Sequence, residues 1–124
     1  MNFENHIPIY IQIINIIKRD IVLGICKPGE KLQSVRDYAL ELKVNPNTVQ
    51  KAYQEMERMN LAYTKRGIGR FIVEDETIVL ELKHEMSDDV VYVFIEKMKE
   101  LGYTSDEIMS SVKERLNGGK KWLL

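Results

Sequence analysis

A mainly helical α+β chain is predicted, with a helical first domain closed by a short hairpin over residues 1–73 and a helical region over residues 77–124. Three observations carry that prediction. Sharp helix starts stand at Ser34 and at Asn45-Pro46, two β-prone runs flank the glycine-rich turn 65–69, and apolar residues recur every three or four positions from Ile78 onward.

The first helix follows from the apolar run Ile7 to Ile17, with Ile9, Ile13, Ile16, Ile17 and Ile21 expected inward. Pro8, Gln12 and Asn15 interrupt that run, and it falls short of the roughly 20 residues a bilayer requires. Ser34 followed by Asp37 reads as an N-cap with an acidic third position, opening a short helix with Val35, Tyr38, Ala39 and Leu42 apolar. The third helix starts at Pro46, because Asn45 can accept a bond from the free first-turn amides and proline's missing N–H costs nothing there. It is expected to run to Met59. Val49, Ala52, Tyr53 and Met56 form its apolar stripe, while Asn47, Gln50, Lys51 and Gln54 occupy another face. Leu61–Thr64 and Arg70–Val73 are the expected strands, joined by Lys65-Arg66-Gly67-Ile68-Gly69.

Only a tight turn separates Leu42 from Pro46, which is the geometry of a helix-turn-helix with the second helix as reader. Amide side chains suit adenine edges, Thr48 suits a phosphate or a base, and Lys51 suits guanine or the backbone. A polar helix face taken alone is more often merely solvated, but its neighbours here point the same way. Arg36 sits in the first turn of the preceding helix, beside the expected path of a phosphate strand; the alternative is a surface pair with Asp37 or Glu41. The hairpin reads as a basic wing, with Lys65, Arg66 and Arg70 supplying charge at its tip and Gly67 and Gly69 permitting close backbone approach.

These segments resemble the GntR family of bacterial transcriptional regulators, and within it the small YtrA-like subfamily. The resemblance lies in Pro8-Ile9-Tyr10-Ile11-Gln12-Ile13, Gly24 with Pro28-Gly29-Glu30-Lys31-Leu32, Ser34-Val35-Arg36, Val44-Asn45-Pro46-Asn47-Thr48-Val49 with Lys51-Ala52-Tyr53, and Gly67-Ile68-Gly69-Arg70-Phe71. They occur in the family's order and span residues 8–73. The resemblance implies a winged helix-turn-helix that binds double-stranded DNA at a palindromic operator, repression as the outcome, and target genes near its own, often encoding ABC-type transporters. Two departures are visible. Gln33 stands where a proline usually precedes the serine, which alters the rigidity of a turn. Gln50 stands where many relatives carry arginine, which favours adenine readout over a guanine or phosphate contact.

Composition fits a small cytoplasmic regulator: 124 residues, 44% hydrophobic, 30% charged, with one cysteine. A single cysteine excludes a disulfide framework, so Cys26 is expected to be an ordinary free thiol, a redox sensor being the remote alternative. His6 and His84 lack the spacing of a metal site, and no cofactor is expected. No signal peptide or membrane span is evident. The net charge of −1 conceals two opposite halves. Residues 1–73 hold eleven Lys and Arg against seven Asp and Glu, whereas residues 74–124 hold seven against twelve. Phosphate attraction acts within about 10 Å at moderate salt, so a basic first domain can bind DNA in a slightly acidic chain.

After the acidic boundary Glu74-Asp75-Glu76, a helix is expected with Ile78, Leu82, Met86, Val90, Val93, Phe94 and Met98 on one stripe, ending at Leu101-Gly102. A second helix follows, capped by Thr104 or Ser105 with Glu107 completing the box, and it carries Ile108, Met109, Val112 and Leu116. Asn117-Gly118-Gly119 ends it, and Lys120 to Leu124 either pack back or fray. Helices this few cannot enclose a large core, so their apolar faces need partners. The first domain is expected to cover part of the stripe and a second copy the remainder, making Leu82, Met86, Val90, Phe94, Ile108 and Val112 the dimerisation residues.

The expected mechanism is a homodimer with two copies of the third helix in successive major grooves. Arg36, Thr48 and Lys51 serve phosphate or guanine, Asn47 and Gln50 serve base edges, and Lys65, Arg66 and the Gly67 to Gly69 backbone serve the flanking groove. Larger relatives carry an effector domain of more than a hundred residues; with a tail of about 50, a small-molecule site lies between subunits or is absent. The alternative is a winged-helix protein-interaction module that does not touch DNA, but a basic wing has no purpose in a neutral contact. An enzyme is not expected, because no nucleophile, base and orienting group occur at a useful spacing.

Overall fold

The computed structural model describes residues 3–118, so the Lys120 to Leu124 segment lies outside the described residues. Five helices and a two-stranded antiparallel sheet follow one another as α1 (Ile9–Val22), α2 (Val35–Leu42), α3 (Pro46–Arg58), β1 (Ala62–Lys65), β2 (Gly69–Ile72), α4 (Glu76–Glu100) and α5 (Ser105–Leu116). Contacts divide the chain into two units, Met1–Lys83 and His84–Leu124.

In the first unit α3 is central, packing on α1, α2 and β1. Its stripe Val49, Ala52, Tyr53 and Met56 is buried as its spacing predicted. The helix starts where expected, with the Asn45 side chain accepting the Asn47 amide at 2.8 Å and Pro46 in the first turn. Ser34 caps α2 by accepting the Asp37 amide at 3.1 Å. The turn between the two helices passes through Lys43 in the left-handed region at φ 58°.

Three details depart from expectation. In α1 the buried residues are Ile13, Ile14, Ile17 and Ile21, whereas Ile9 is 41% exposed and Ile16 is half-buried. A helix with isoleucine on nearly every face leaves periodicity little to discriminate. Each strand lies one residue closer to the turn than predicted, β1 starting one residue later and β2 one residue earlier, because Lys65 pairs with Gly69 and shortens the turn to Arg66-Gly67-Ile68. The third departure is an added edge: Leu32 N–H donates to the Arg70 carbonyl and Ile72 N–H to the Glu30 carbonyl, each at 2.8 Å, with a bridge between Lys31 and Phe71. Residues 29–32 therefore flank β2 on the side away from β1 and hold the wing at its base.

In the second unit, the Thr104 side chain accepts the Glu107 amide at 3.2 Å and Glu107 accepts the Thr104 amide at 2.9 Å, completing the capping box of α5. A groove of about 660 Å³ is lined by Phe94, Met98, Leu101, Tyr103, Val112 and Leu116 among others. Along α4 and α5 the apolar stripe is mostly uncovered: Val90 is 70% exposed, and Val93, Phe94, Met109, Val112 and Leu116 are exposed as well. Leu82 and Ile108, expected at a dimer interface, are 5% and 7% exposed within the single chain and offer a partner little surface.

Candidate nucleic-acid interface

The outward side of α3 is built around its first two turns. Asn47 is exposed, Thr48 is half-buried and Lys51 is exposed, and with Ile9, Tyr10 and Asn45 they line a shallow hollow of about 430 Å³. Lys51 does not wave freely: its ammonium lies 4.3 Å from the centre of the Tyr10 ring, which α1 supplies. Such a cation–π contact restricts a four-carbon side chain while leaving its N–H donors available. Tyr10 had no role in the periodicity reading, since the contact joins two helices far apart in sequence.

Arg70 behaves differently from the expectation of a free cation at the wing tip. From β2 its side chain turns in against α3, where Nε donates to the Glu57 carboxylate and Nη1 donates to Gln50 Oε1 at 3.1 Å. Its guanidinium also lies 5.5 Å from the Tyr53 ring centre. Thr64 of β1 adds a hydroxyl hydrogen bond to Glu57 at 2.8 Å. Burial pushes the Glu57 carboxyl up, but the bonds from Arg70 and Thr64 outweigh it and hold the group below its ordinary value. Both strands of the wing are thus tied to the helix that would carry base contacts. Tyr53 is anchored in turn, its hydroxyl donating to the Gln33 carbonyl at 2.9 Å and its ring stacking on Tyr38 at 6.2 Å. Burial, then nearby Asp20, pushes the Tyr38 phenol up to about 12, so it stays neutral and protonated in neutral solution.

At the wing tip, Gly67 has φ 78° and Gly69 φ 143°. A Cβ at Gly69 would come 2.8 Å from Lys31 Cε, so glycine there admits both the backbone angle and the lysine lying across it. Lys31 is a cation beside the wing that motif reading did not assign. Lys65 is exposed, yet its ammonium sits 4.7 Å from the Phe71 ring centre, and Phe71 stacks across the strands on Tyr63. Arg66 is exposed, without an ion pair among the described residues. Arg36 is exposed and pairs with neither Asp37 nor Glu41; Glu41 instead accepts from Gln33 at 3.2 Å. Asn47, Thr48, Gln50, Lys51 and Arg36 thus lie on the helix-turn-helix, with Lys65, Arg66, Gly67 and Gly69 on the hairpin.

The model of the bacterial regulatory proteins of the gntR family matches residues 9–72, the helices and hairpin just described. The chain belongs to the GntR family. It is 44% identical over 117 residues to the uncharacterized HTH-type transcriptional regulator YhcF of Bacillus subtilis (strain 168), covering 94% of this chain and 97% of YhcF. Identity to the HTH-type transcriptional repressor YtrA of the same organism is 40% over 118 residues, covering 92% and 91% of the two chains. Among solved structures, a GntR family transcriptional regulator from Listeria monocytogenes superposes with a TM-score of 0.83 at 39% identity, covering 90% of this chain and 97% of that one. This GntR protein is accordingly a transcriptional regulator with a DNA-binding winged helix-turn-helix, and its relatives are regulators rather than enzymes.

Among the described residues of this GntR protein, no group of His, Cys, Asp and Glu could hold a metal ion, and no helix is long and apolar enough to cross a membrane. Cys26 is half-buried, and burial, then Asp20 and Glu30, raises its thiol, which keeps it in the poorly nucleophilic form.

Proposed function

We propose that this GntR protein is a cytoplasmic homodimeric repressor that places two copies of α3 in successive major grooves of a palindromic operator. The observation that carries the reading is the brace from Arg70 to Glu57 and Gln50, which joins wing and α3 into one unit with Asn47, Lys51, Lys65 and Arg66 exposed around it. Arg36, Thr48 and Lys51 serve phosphates or guanine, Asn47 and Gln50 serve base edges, and Lys65, Arg66 and the Gly67 to Gly69 backbone lie along the flanking groove. Half-sites are then about 34–36 Å apart. A dimer seated on a promoter blocks polymerase, and the similarity to the transcriptional repressor YtrA supports that outcome. The operon controlled is a neighbouring one, with ABC-type transporter genes as the first candidates.

The second copy is supported by the exposed apolar stripe Val90, Val93, Phe94, Val112 and Leu116, more than isolated surface residues require. Met86 is half-buried and sits on the same helix. Sedimentation of the wild type and of Phe94→Asp, each paired with operator titration, tests the reading. Loss of the dimer together with loss of DNA affinity is expected, and a monomeric variant that binds DNA normally overturns the dimer requirement.

A further inference from the structure

The geometry points to Arg70 as the residue that sets which base Gln50 can read: by holding the amide oxygen of Gln50 toward the wing, it presents the NH2 group to the groove and favours guanine over adenine. This inference rests on the DNA-reading role proposed for α3.

The chemistry allows one orientation. A guanidinium offers only N–H donors, so the Gln50 atom 3.1 Å from Arg70 Nη1 must be the carbonyl oxygen, and the NH2 group turns the other way. Arg70 is not free to release that oxygen, because Nε is ion-paired to Glu57, which Thr64 also holds, and the guanidinium faces the Tyr53 ring. Its side chain is only 20% exposed. A free glutamine pairs with adenine through both halves of its amide, accepting from N6 and donating to N7. With its oxygen held toward Arg70, Gln50 presents its NH2 group to the base edge, where adenine offers one acceptor, N7, beside the repelling N6 donor. Guanine offers acceptors at both O6 and N7, thymine offers one at O4, and cytosine offers only a donor. The preferred base is therefore guanine, and cytosine is rejected. Glutamine standing where many relatives carry arginine need not shift preference toward adenine, because a neighbouring arginine reshapes what it can do.

Selection from a randomised duplex library by the wild-type dimer, Gln50→Ala, Gln50→Glu and Arg70→Met tests this. The base pair read by residue 50 is the one whose preference disappears in Gln50→Ala. There the wild type is expected to favour guanine over adenine by about tenfold. Arg70→Met should erase or invert that difference while other positions keep their preferences, an effect that a merely structural loss would not confine to one base pair. Gln50→Glu, which presents an acceptor outward, should shift the same position to cytosine, and it decides the matter if Arg70→Met does not fold. Adenine preferred by the wild type, or a guanine preference unchanged in folded Arg70→Met and in Gln50→Glu, overturns the inference. A wild type that enriches no sequence at all removes the DNA-reading role of α3 itself, an outcome distinct from enrichment of the wrong base.

Discussion

The ammonium of Lys51 rests 4.3 Å from the centre of the Tyr10 ring, so the first helix of the chain restrains a cation on α3, the helix proposed to face DNA. A cation–π contact at an exposed site contributes roughly 0.5–1 kcal/mol. Tyr10→Leu keeps the apolar body of the side chain and removes the ring. Its expected effect is a drop in operator affinity of about two- to fivefold, read by fluorescence anisotropy, with little change in unfolding midpoint. A variant that binds more tightly would mean that Tyr10 withholds Lys51 from DNA.

Arg66 stands at the wing tip without an ion pair among the described residues, which leaves its charge available to a phosphate. Arg66→Ala should weaken binding to all duplexes alike and reduce the slope of log affinity against log salt by about one. An unchanged slope would remove Arg66 from the interface.

Met56 is fully buried where α3 packs in the first unit. Truncation to alanine removes its buried chain and leaves a cavity, and Met56→Ala should cost about 2–5 kcal/mol. Urea unfolding checks this through a lowered midpoint at nearly constant slope. A change below about 1 kcal/mol would contradict close packing around α3.

The brace also sets a pH dependence. Glu57 is held below its ordinary value of 4.5, so its contribution to stability is present above that unfolded value and is lost as pH falls through the lower folded value. Glu57→Gln should therefore be less stable than the wild type at neutral pH, with the gap closing as the solution is acidified below about 4.5. A gap that stays constant down to strongly acidic solution would remove the ionised Glu57 from the brace.

Local signals were the legible part of this molecule. Asn45-Pro46 announced the start of α3 and Thr104 with Glu107 that of α5, because capping is decided within a few residues. The α3 stripe was legible too, since only one of its faces is apolar. What spacing did not reveal are the long-range contacts: Lys51 with Tyr10, Lys31 across Gly69, and Arg70 with Gln50 and Glu57. Arg70 looked like a tip cation because its position on the hairpin was readable but the face of its strand was not. The observed pairing of Thr64 with Arg70 is the one the expected strand ends imply, so the register was legible; what draws Arg70 inward are Glu57 and Gln50 on α3, which hairpin spacing does not show.

The most direct measurement titrates the protein against a duplex carrying its own upstream region and against an unrelated duplex, at several salt concentrations. Salt-sensitive binding that favours its own region by ~10³-fold or more is expected. Equally weak binding to both duplexes would contradict a repressor acting beside its own gene and favour the protein-interaction alternative.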